Sequence, residues 1–511
     1  MFCSNKKSDD KSIGLAPFVL FVALIVGLLF TAADFYKMPF KGAGDFAVLA
    51  LQFCVIEAAT LLFVWMISCN KYLFATVFPS LVTACAIATY FRYTAGVTLT
   101  PMVIDLAMVN DVRTTMDVVT WQLVLFTLLC LAMAVAVVIV RFRRVTVKRP
   151  WLNFAVAAVC FTVYMCIPRF APPIRARIPF VIYFSTKSYI ENRNIAAENR
   201  PAFKGKAMCE SDIIDVVFIL GETLRARNMQ VNGYQRPTTP RLAEDTNAVS
   251  LPHIYSEFGI THTSVPYIMT RADSTHYDIA YSERSFIDIF KQAGYRTIWI
   301  ANQESVETFS YFMNEADTLV YVNSGKSIYT FGQWLDGDII PELDKQLLIQ
   351  NGSPRRLFVM HTIGSHWWYR SHYPRDFARW RPELNSRVIS ANTKEEFVNS
   401  YDNTVLYSDL FWEEVRNRFR HRNAIVIYLS DHGESLGENG IFCHAEDSEA
   451  LHYPGCWVWM SDKYRATHAD KWKALNYNRK KWYNSAFLFH SILDAGDITT
   501  GYINGKYDVF K

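Results

Sequence analysis

The chain has 511 residues, of which 51% are hydrophobic, 15% aromatic and only 20% charged. Its 52 basic and 48 acidic residues give a net charge of +4, which gives no reason to expect a nucleic-acid binder or a disordered chain. Ten cysteines are too few for a disulfide scaffold in a chain of this length. The apolar residues are concentrated in the first third, and this excludes a purely soluble protein.

Five apolar stretches of near-spanning length come before residue 170. A helix that crosses a bilayer needs about 20 apolar residues. The first stretch continues too far to be a cleavable signal peptide, and the third contains Pro79, which membrane helices tolerate. The predicted spans are Ile13–Ala33, Phe46–Ser68, Leu73–Phe91, Val119–Val140 and Trp151–Ile167.

The charges in the loops predict the orientation of these spans. The loop between the fourth and fifth spans carries five basic residues, so the positive-inside rule makes it cytoplasmic. Five spans then put everything after Pro168 outside, which in a bacterium is the periplasm. We therefore predict a transmembrane domain at 1–168, an interfacial connector at 169–211 and a periplasmic domain at 212–511.

Two features of the membrane third leave alternatives open. Glu57 lies within the second span, where an ionisable group is costly and often functional, or else simply faces a polar part of the helix bundle. The polar segment Thr98–Asp117 is predicted to be an outer loop that lies over the active site.

From Asp212 onward, short β-branched runs alternate with polar helical stretches. Such alternation predicts an α/β domain around a central, largely parallel sheet. The predicted strands are Asp215–Leu220, Arg296–Ala301, Arg356–His361, Ala424–Ser430 and Cys456–Ser461. The predicted helices are Thr239–Thr246, Ser285–Ala293, Phe331–Gln350 and Lys394–Arg418.

Polar motifs follow several of these strands, where sites form in parallel sheets. Glu222 follows the first strand, Asp431 and His432 follow the fourth, and His366 and His444 come soon after strand ends. A carboxylate and histidine set without thiolates fits zinc, with manganese also possible. Taken singly, each motif has a simpler explanation: a turn, a helix cap or a surface histidine. Four together are harder to explain in that way.

These motifs resemble those of the bacterial phosphoethanolamine transferases, in the sulfatase-like branch of the alkaline phosphatase superfamily. Residues 221–228 read GETLRARN, and NGY at 232–234 and TTPRL at 238–242 follow. Residues 401–404 read YDNT, and 430–440 read SDHGESLGENG, with His444 shortly after. The order of spans followed by an outer α/β domain extends the resemblance over the whole chain.

The resemblance implies a zinc ion held by Glu222, Asp431, His432 and a nucleophilic threonine. That threonine lies five positions before the proline of Ser264-Val265-Pro266, which identifies Thr261, with Thr263 as the fallback. His366 and His444 match family histidines that bind the transferred phosphoryl group or a second zinc. They are also candidate catalytic groups, as general acid or base.

Three features depart from the family pattern. Trp367-Trp368-Tyr369 stands where the family usually has Gly-Pro, and these aromatics either pack in the core or dip into the membrane interface. The nucleophile segment lacks the usual cysteines. Only three cysteines lie in the outer domain, enough for one disulfide: Cys209, Cys443 and Cys456.

The resemblance implies transfer of phosphoethanolamine from phosphatidylethanolamine, through an intermediate on Thr261, to lipid A or another envelope glycan. A lipid donor also explains why several spans would hold the site at the inner membrane. One alternative is a phosphoglycerol transferase of the lipoteichoic-acid-synthase type. Another is a non-catalytic membrane sensor on the same fold.

Overall fold

A computed structural model describes the chain except for a set of short segments and the N-terminus. The residues left out are 1–11, 37, 39–41, 95–96, 102, 105–118, 198–199, 304–306, 327–331, 350–351, 387–388 and 445. The chain forms two compact units, Met1–Tyr189 with Gly325–Thr330, and Ile190–Ser324 with Phe331–Lys511. The boundaries predicted at 168 and 211 stay predictions, and most of the predicted outer loop at 98–117 lies outside the described residues.

The first unit is helical. Four of its helices are long and apolar enough to cross a membrane, counting the turn to Phe35 with the first of them. They match the first four predicted spans. The fifth prediction falls on a shorter helix of 16 residues, about 24 Å long at 1.5 Å per residue. These helices are α1 (Leu15–Leu29), α2 (Gly42–Ser68), α3 (Lys71–Thr94), α4 (Trp121–Arg144) and α5 (Pro150–Met165), followed by α6 (Ala171–Arg175) and α7 (Phe180–Ala197).

Glu57 lies on α2 where that helix meets α1. Its carboxyl group occupies the space that a Cβ at Gly27 would need, so the glycine lets the two helices enclose it. The functional reading of Glu57 stays a prediction.

The second unit contains a seven-stranded sheet. Its strands are β1 (Ile214–Gly221), β2 (Ala248–Ser250), β3 (Arg296–Ala301), β4 (Thr318–Tyr321), β5 (Arg355–His361), β6 (Ala424–Ser430) and β7 (Cys456–Met460). The order is β2-β7-β6-β1-β5-β3-β4; the pairs from β6 to β4 are parallel, and β7 is antiparallel to both of its neighbours. The largely parallel sheet expected from the sequence is confirmed.

Helices surround this sheet. They are α8 (Pro240–Glu244), α9 (Thr261–Met269), α10 (Ile279–Ser282), α11 (Phe286–Gln292), α12 (Glu307–Met313), α13 (Ile339–Leu348), α14 (Lys394–Phe419), α15 (Asp462–Thr467), α16 (Ala469–Asn478) and α17 (Phe487–Ala495). Two-residue strands pair beside them, Ile254–Tyr255 with Tyr483–Asn484 and Met208–Cys209 with Ile498–Thr499. A further short pair, Leu436–Glu438 with Ile441–Phe442, follows β6.

The helix predicted at 331–350 was wrong in its first half. The helix α13 starts at Ile339, because Asp336 uses its carboxylate to hold other segments and Pro341 suits only a first helical turn. The short edge strands β2 and β4 were not predicted. The other predicted strands and helices differ from the observed ones by only a few residues at their ends.

Candidate metal centre and active site

The candidate site lies at the carboxyl edge of three adjacent parallel strands. The registers pair Ser430 of β6 with Gly221 of β1, and Leu220 of β1 with His361 of β5. Parallel strands end at the same edge, so the residues that follow them meet. Glu222 and Asp431 stand directly after β1 and β6.

A glycine brings the loop after β5 against Glu222. Gly364 has φ +52, and a Cβ there would collide with the backbone of Glu222. The Ser365 N–H donates to the Glu222 carbonyl over 3.0 Å. Asp336 accepts hydrogen bonds from the Ile363 and Gly364 N–H groups, which fixes the course of the loop that leads to His366.

Four predicted ligands lie within a few ångströms of one another. The Thr261 hydroxyl, at the start of α9, is 3.3 Å from both carboxylate oxygens of Glu222 and 3.4 Å from Nε2 of His432. That nitrogen is 3.4 Å from Oδ2 of Asp431 and 3.8 Å from Oε1 of Glu222. Glu222, Asp431 and His432 are all buried.

The hydrogen bonds around these residues leave acceptor atoms facing one another. Nδ1 of His432 is 2.6 Å from the Gly433 carbonyl, to which it must donate, so Nε2 carries the lone pair. Oδ1 of Asp431 accepts from the Thr223 and His432 N–H groups, whereas the buried Oδ2 has no hydrogen-bond partner. Unpaired acceptors turned toward one another at this depth are costly unless a cation lies between them.

A divalent cation fits this arrangement. The donor atoms of Glu222, Asp431 and His432 lie within 4.8 Å of one another. Bonds of about 2 Å in a tetrahedral zinc site separate the ligand atoms by about 3.3 Å. The separations of 3.3 to 3.8 Å found among Thr261, Glu222, Asp431 and His432 are close to that value.

Two further histidines border the cluster. The ring of His444 has its centroid 5.1 Å from that of His432 and 5.9 Å from that of His366. Nδ1 of His366 donates to the Trp367 carbonyl over 2.6 Å, which leaves its Nε2 free to accept. Nδ1 of His444 lies 3.4 Å from Oε1 of the buried Glu434, in ion-pair range.

Burial and charge move the pKa values of these groups in different directions. Burial, reinforced by His444, lowers the pKa of His366 to about 4, which keeps its imidazole neutral. Burial also opposes protonation of His444, but the Glu434 carboxylate outweighs it and raises the pKa. Burial, and then the Asp431 charge, raise the pKa of Glu222; a bound cation would act in the opposite sense.

The Trp367-Trp368-Tyr369 aromatics lie in the core of the second unit rather than on a free surface. Trp368 and Tyr369 are buried, and Trp367 stacks on Phe397 of α14 with ring centroids 5.6 Å apart. The Tyr369 hydroxyl donates to Oε2 of Glu434 over 2.8 Å. The cluster therefore supports the carboxylate beside His444.

The motif segments 221–228 and 430–440 belong to one hydrogen-bonded network. Nε of Arg225 donates to Asn228, and Nη1 donates to the Glu434 carbonyl and to Glu438. The amide of Asn228 in turn donates to Asp402 on α14 over 2.6 Å. These contacts connect the segment after β1, the long helix and the loop after β6, so the motif residues outside the ligand set hold the ligand loops in place.

The neighbouring threonines are placed differently from Thr261. The Thr223 hydroxyl donates to Oε1 of Glu222 over 2.6 Å, and the residue has φ +59. The Thr263 hydroxyl donates to the Ile260 carbonyl over 3.2 Å. Of these three hydroxyl groups, that of Thr261 lies within hydrogen-bond distance of both Glu222 and His432. Its role as nucleophile stays a prediction.

Sequence reasoning missed two residues that contact the site. Glu434 is within the 430–440 motif, and its position two residues after His432 was the available signal. Gln303 donates to Oε2 of Glu222 over 3.1 Å and to the Thr362 carbonyl over 3.0 Å. It follows β3 by two residues, but a lone glutamine there gives no signal. Cys209, Cys443 and Cys456 are free thiols.

The fold that carries this strand-end cluster of carboxylates, histidines and a hydroxyl is that of the sulfatase class. The sulfatase family model matches residues 214–498. The model described as phosphoethanolamine transferase EptA/EptB matches residues 57–171. The chain therefore belongs to the sulfatase family, and the match of its membrane third to the phosphoethanolamine transferase model confirms the resemblance seen in the sequence.

Individual relatives agree with this assignment. The chain is 35% identical over 266 residues to the Kdo(2)-lipid A phosphoethanolamine 7''-transferase of Salmonella typhimurium, covering 50% of this chain and 46% of that protein. It spans about half the length of the curated relatives it first matches.

Two solved structures show the same fold. The integral membrane lipooligosaccharide phosphoethanolamine transferase A of Neisseria meningitidis has a TM-score of 0.53 at 21% identity, covering 98% of each chain. The C-terminal periplasmic domain of EptC from Escherichia coli, in complex with Zn, has a TM-score of 0.55 at 23% identity, covering 61% of this chain and 90% of that one.

Proposed function

We propose that the chain transfers phosphoethanolamine from phosphatidylethanolamine to lipid A or another envelope glycan, with Thr261 as the nucleophile. The observation that carries the proposal is the Thr261 hydroxyl, 3.3 to 3.4 Å from Glu222 and His432 in a cluster of acceptors that fits a cation. The similarity to the Kdo(2)-lipid A phosphoethanolamine 7''-transferase of Salmonella typhimurium supports phosphoethanolamine as the transferred group and lipid A as the acceptor.

Glu222, Thr261, Asp431 and His432 would hold zinc. When bound, zinc would lower the pKa of the Thr261 hydroxyl and offset negative charge on the phosphoryl oxygens. The protein's part is to orient these ligands. The Gly433 carbonyl fixes the tautomer of His432, and Gln303 and Thr223 each donate to a carboxylate oxygen of Glu222.

In the first step Oγ1 of Thr261 bonds to the phosphorus of the lipid headgroup, and the phosphorus–oxygen bond to diacylglycerol breaks. The threonine gives up its proton and the diacylglycerol oxygen takes one up. In the second step an acceptor oxygen bonds to the same phosphorus and loses its proton, the bond between phosphorus and Oγ1 of Thr261 breaks, and Thr261 recovers a proton. Atoms and charge balance over the two steps without any further reactant.

His366 and His444 would serve the transferred group in both steps. Nε2 of the neutral His366 can accept a hydrogen bond or take up a proton, and it donates only once it is protonated, whereas the Glu434 carboxylate raises the pKa of His444 and favours its protonated form. Together they would bind phosphoryl oxygens and pass protons to and from the exchanging oxygens. Because the donor is a membrane lipid and the acceptor an envelope glycan, the protein would lie in the bacterial inner membrane with its second unit in the periplasm.

The test is the intact mass of the purified full chain after incubation with phosphatidylethanolamine. We expect a phosphoethanolamine adduct on the wild type and none on Thr261→Ala, with transfer reduced by on the order of a thousandfold or more. Thr263→Ala is the matched control and should keep the adduct. An adduct that persists in Thr261→Ala, or one formed only with phosphatidylglycerol, would contradict the proposal; the latter would indicate phosphoglycerol transfer.

Zinc content tests the ligand set independently of activity. We expect elemental analysis to find zinc in the wild type and in Thr263→Ala, and to find much less in Asp431→Asn. The substitution keeps the shape of the side chain but replaces one buried carboxylate oxygen by an amide that cannot bind a cation in the same way. Equal zinc in wild type and Asp431→Asn would rule out this centre.

A further inference from the structure

One surface region of the second unit takes no part in the proposed chemistry. Helix α16 and the turn after it carry four cations and two aromatic rings, here called the basic-aromatic patch: Lys473, Tyr477, Arg479, Lys480, Lys481 and Trp482. All six side chains are exposed, with Tyr477 at 73% and Trp482 at 64% of full exposure.

The backbone beneath the basic-aromatic patch is firmly held. The buried Asn478 donates to the carbonyls of Val509 and Lys511, over 3.0 and 2.8 Å. Beyond the turn, Tyr483 and Asn484 pair in parallel with Ile254 and Tyr255. The exposed rings are therefore presented by an ordered segment on both sides, not by a loose loop.

Trp482 is oriented as well as exposed. Its ring stacks on His253 with centroids 4.8 Å apart and meets the edge of Tyr453 at 6.0 Å. A tryptophan held with most of its surface in solvent gains little for folding. The exposed and oriented ring of Trp482 is better explained by a binding partner that contacts the indole.

The four cations of the basic-aromatic patch lie in a stretch of sequence that is poor in acidic residues. No acidic residue occurs in the sequence from Lys471 to Leu493. Lys471 and Lys511 nearby are both ion-paired with Asp494. By contrast, none of the four patch cations has a carboxylate within 4.0 Å among the residues that the structure describes. Lys481 instead lies over the Tyr477 ring, 5.0 Å from its centroid.

This combination fits one kind of partner. Tryptophan and tyrosine favour the headgroup layer of a bilayer, where the ring is half buried and the polar tip stays wet. Clustered lysines and arginines bind anionic headgroups, and each raises the membrane-binding constant roughly fivefold. We propose that the basic-aromatic patch docks on the headgroup layer of an anionic membrane, independently of the transfer chemistry.

The test uses the full chain in nanodiscs of phosphatidylcholine, with or without phosphatidylserine, so that neither candidate donor lipid is present. Hydrogen exchange of residues 473–484 is followed by mass spectrometry. We expect slower exchange with the anionic lipid, and loss of that protection at high salt, where exposed charges are screened beyond about 3 Å at 1 M.

Two variants sharpen this test. Replacing Arg479, Lys480 and Lys481 by Gln should remove the protection, because the loss of three cations lowers the membrane-binding constant by on the order of a hundredfold. Replacing the exposed Arg375, Arg379 and Arg381 by Gln removes the same charge elsewhere and should leave the protection unchanged. Unchanged exchange of β1 shows that each variant is folded.

Three results would overturn the proposal. The first is equal exchange of residues 473–484 in both lipid compositions, and the second is an equal loss of protection in the two triple variants. The third is protection in pure phosphatidylcholine that appears only when a soluble phosphorylated glycan is added. The last result would assign the patch to an acceptor glycan rather than to a membrane surface.

Discussion

The two units of the chain use apolar residues in opposite ways. In α1 the side chains of Leu20, Phe21 and Leu24 are 57%, 60% and 55% exposed, whereas every residue of β1 is buried. A helix with large apolar side chains on its outside is stable when lipid surrounds it, and a strand of the same composition is stable when protein covers both faces. Apolar content alone therefore does not distinguish a membrane span from a core strand; length and context do.

The buried polar groups show the complementary difference. In the first unit, Asp34 accepts a hydrogen bond from the Ile178 N–H over 2.7 Å and lies 3.8 Å from Nε of Arg92. In the second unit, buried polar residues form an extended network that positions the ligand loops. In these two examples the partners of the buried carboxylates compensate the cost of burying a charge.

The largest structural effect is expected at Asp402. This buried carboxylate accepts hydrogen bonds from Asn228, Tyr234 and Arg236, over 2.6, 2.8 and 2.9 Å. Asp402→Ala would remove the acceptor of all three donors and leave Arg236 with its bond to Asn399, so we expect the free energy of unfolding to fall by about 3–5 kcal/mol. Chemical denaturation of the full chain in detergent measures it. Asp376→Ala, at an exposed position, is the control and should change stability by less than about 0.5 kcal/mol. A small loss at Asp402 would show that the network does not bear on stability.

The contrast in apolar burial is tested by a pair of truncations. Ile219→Ala in β1 removes a fully buried side chain and should cost about 2–5 kcal/mol. Leu24→Ala removes an exposed side chain from α1 and should cost far less in detergent micelles, because no cavity forms inside the protein. Thermal unfolding of both variants in the same detergent compares them directly. Equal losses would mean that Leu24 is covered by protein rather than by lipid.

Much of this organisation could be predicted from the sequence. Strands β1, β3, β5 and β6 are continuous apolar runs with clear ends, and the polar motifs directly after them marked Glu222, Asp431 and His432. The start of α14 was also correct, because Thr393 and Glu396 form a capping box ahead of the helical pattern.

The remainder depended on tertiary contacts. The edge strands β2 and β4 are three and four residues long, too short for a periodic pattern. The first half of the helix predicted at 331–350 failed because Asp336 binds Asn302 and the loop after β5, contacts that local propensity does not encode. Glu434 and Gln303 are site residues only through the folding of distant segments onto Glu222 and His444.

A pH-dependent effect is expected at Asp508, in a part of the second unit outside the candidate metal centre. Burial, and then the neighbouring Asp494, raise the pKa of Asp508 to about 8. The folded chain therefore holds a proton there that the unfolded chain has lost above about pH 4, so this group lowers stability as pH rises toward 8. Asp508→Asn removes the titration. We expect the stability of the variant to rise relative to wild type as the pH is raised from 5 to 8. Urea denaturation at both pH values measures it, and a difference that does not change with pH would contradict the assignment.

The smallest expected effect lies at the start of α14. The Thr393 hydroxyl accepts from the Glu396 N–H over 3.2 Å, and the Glu396 carboxylate accepts from the Thr393 N–H over 2.7 Å. Thr393→Ala removes one half of this capping box and should cost about 1 kcal/mol in unfolding free energy. Thr393→Ser keeps the hydroxyl and should restore most of it. Because α14 carries Tyr401, Asp402 and Thr404 in its second and third turns, fraying of the first turn should leave the zinc content unchanged. If Thr393→Ala lost as much stability as Asp402→Ala, or lost zinc, the first turn would have to be part of the network that holds the ligand loops.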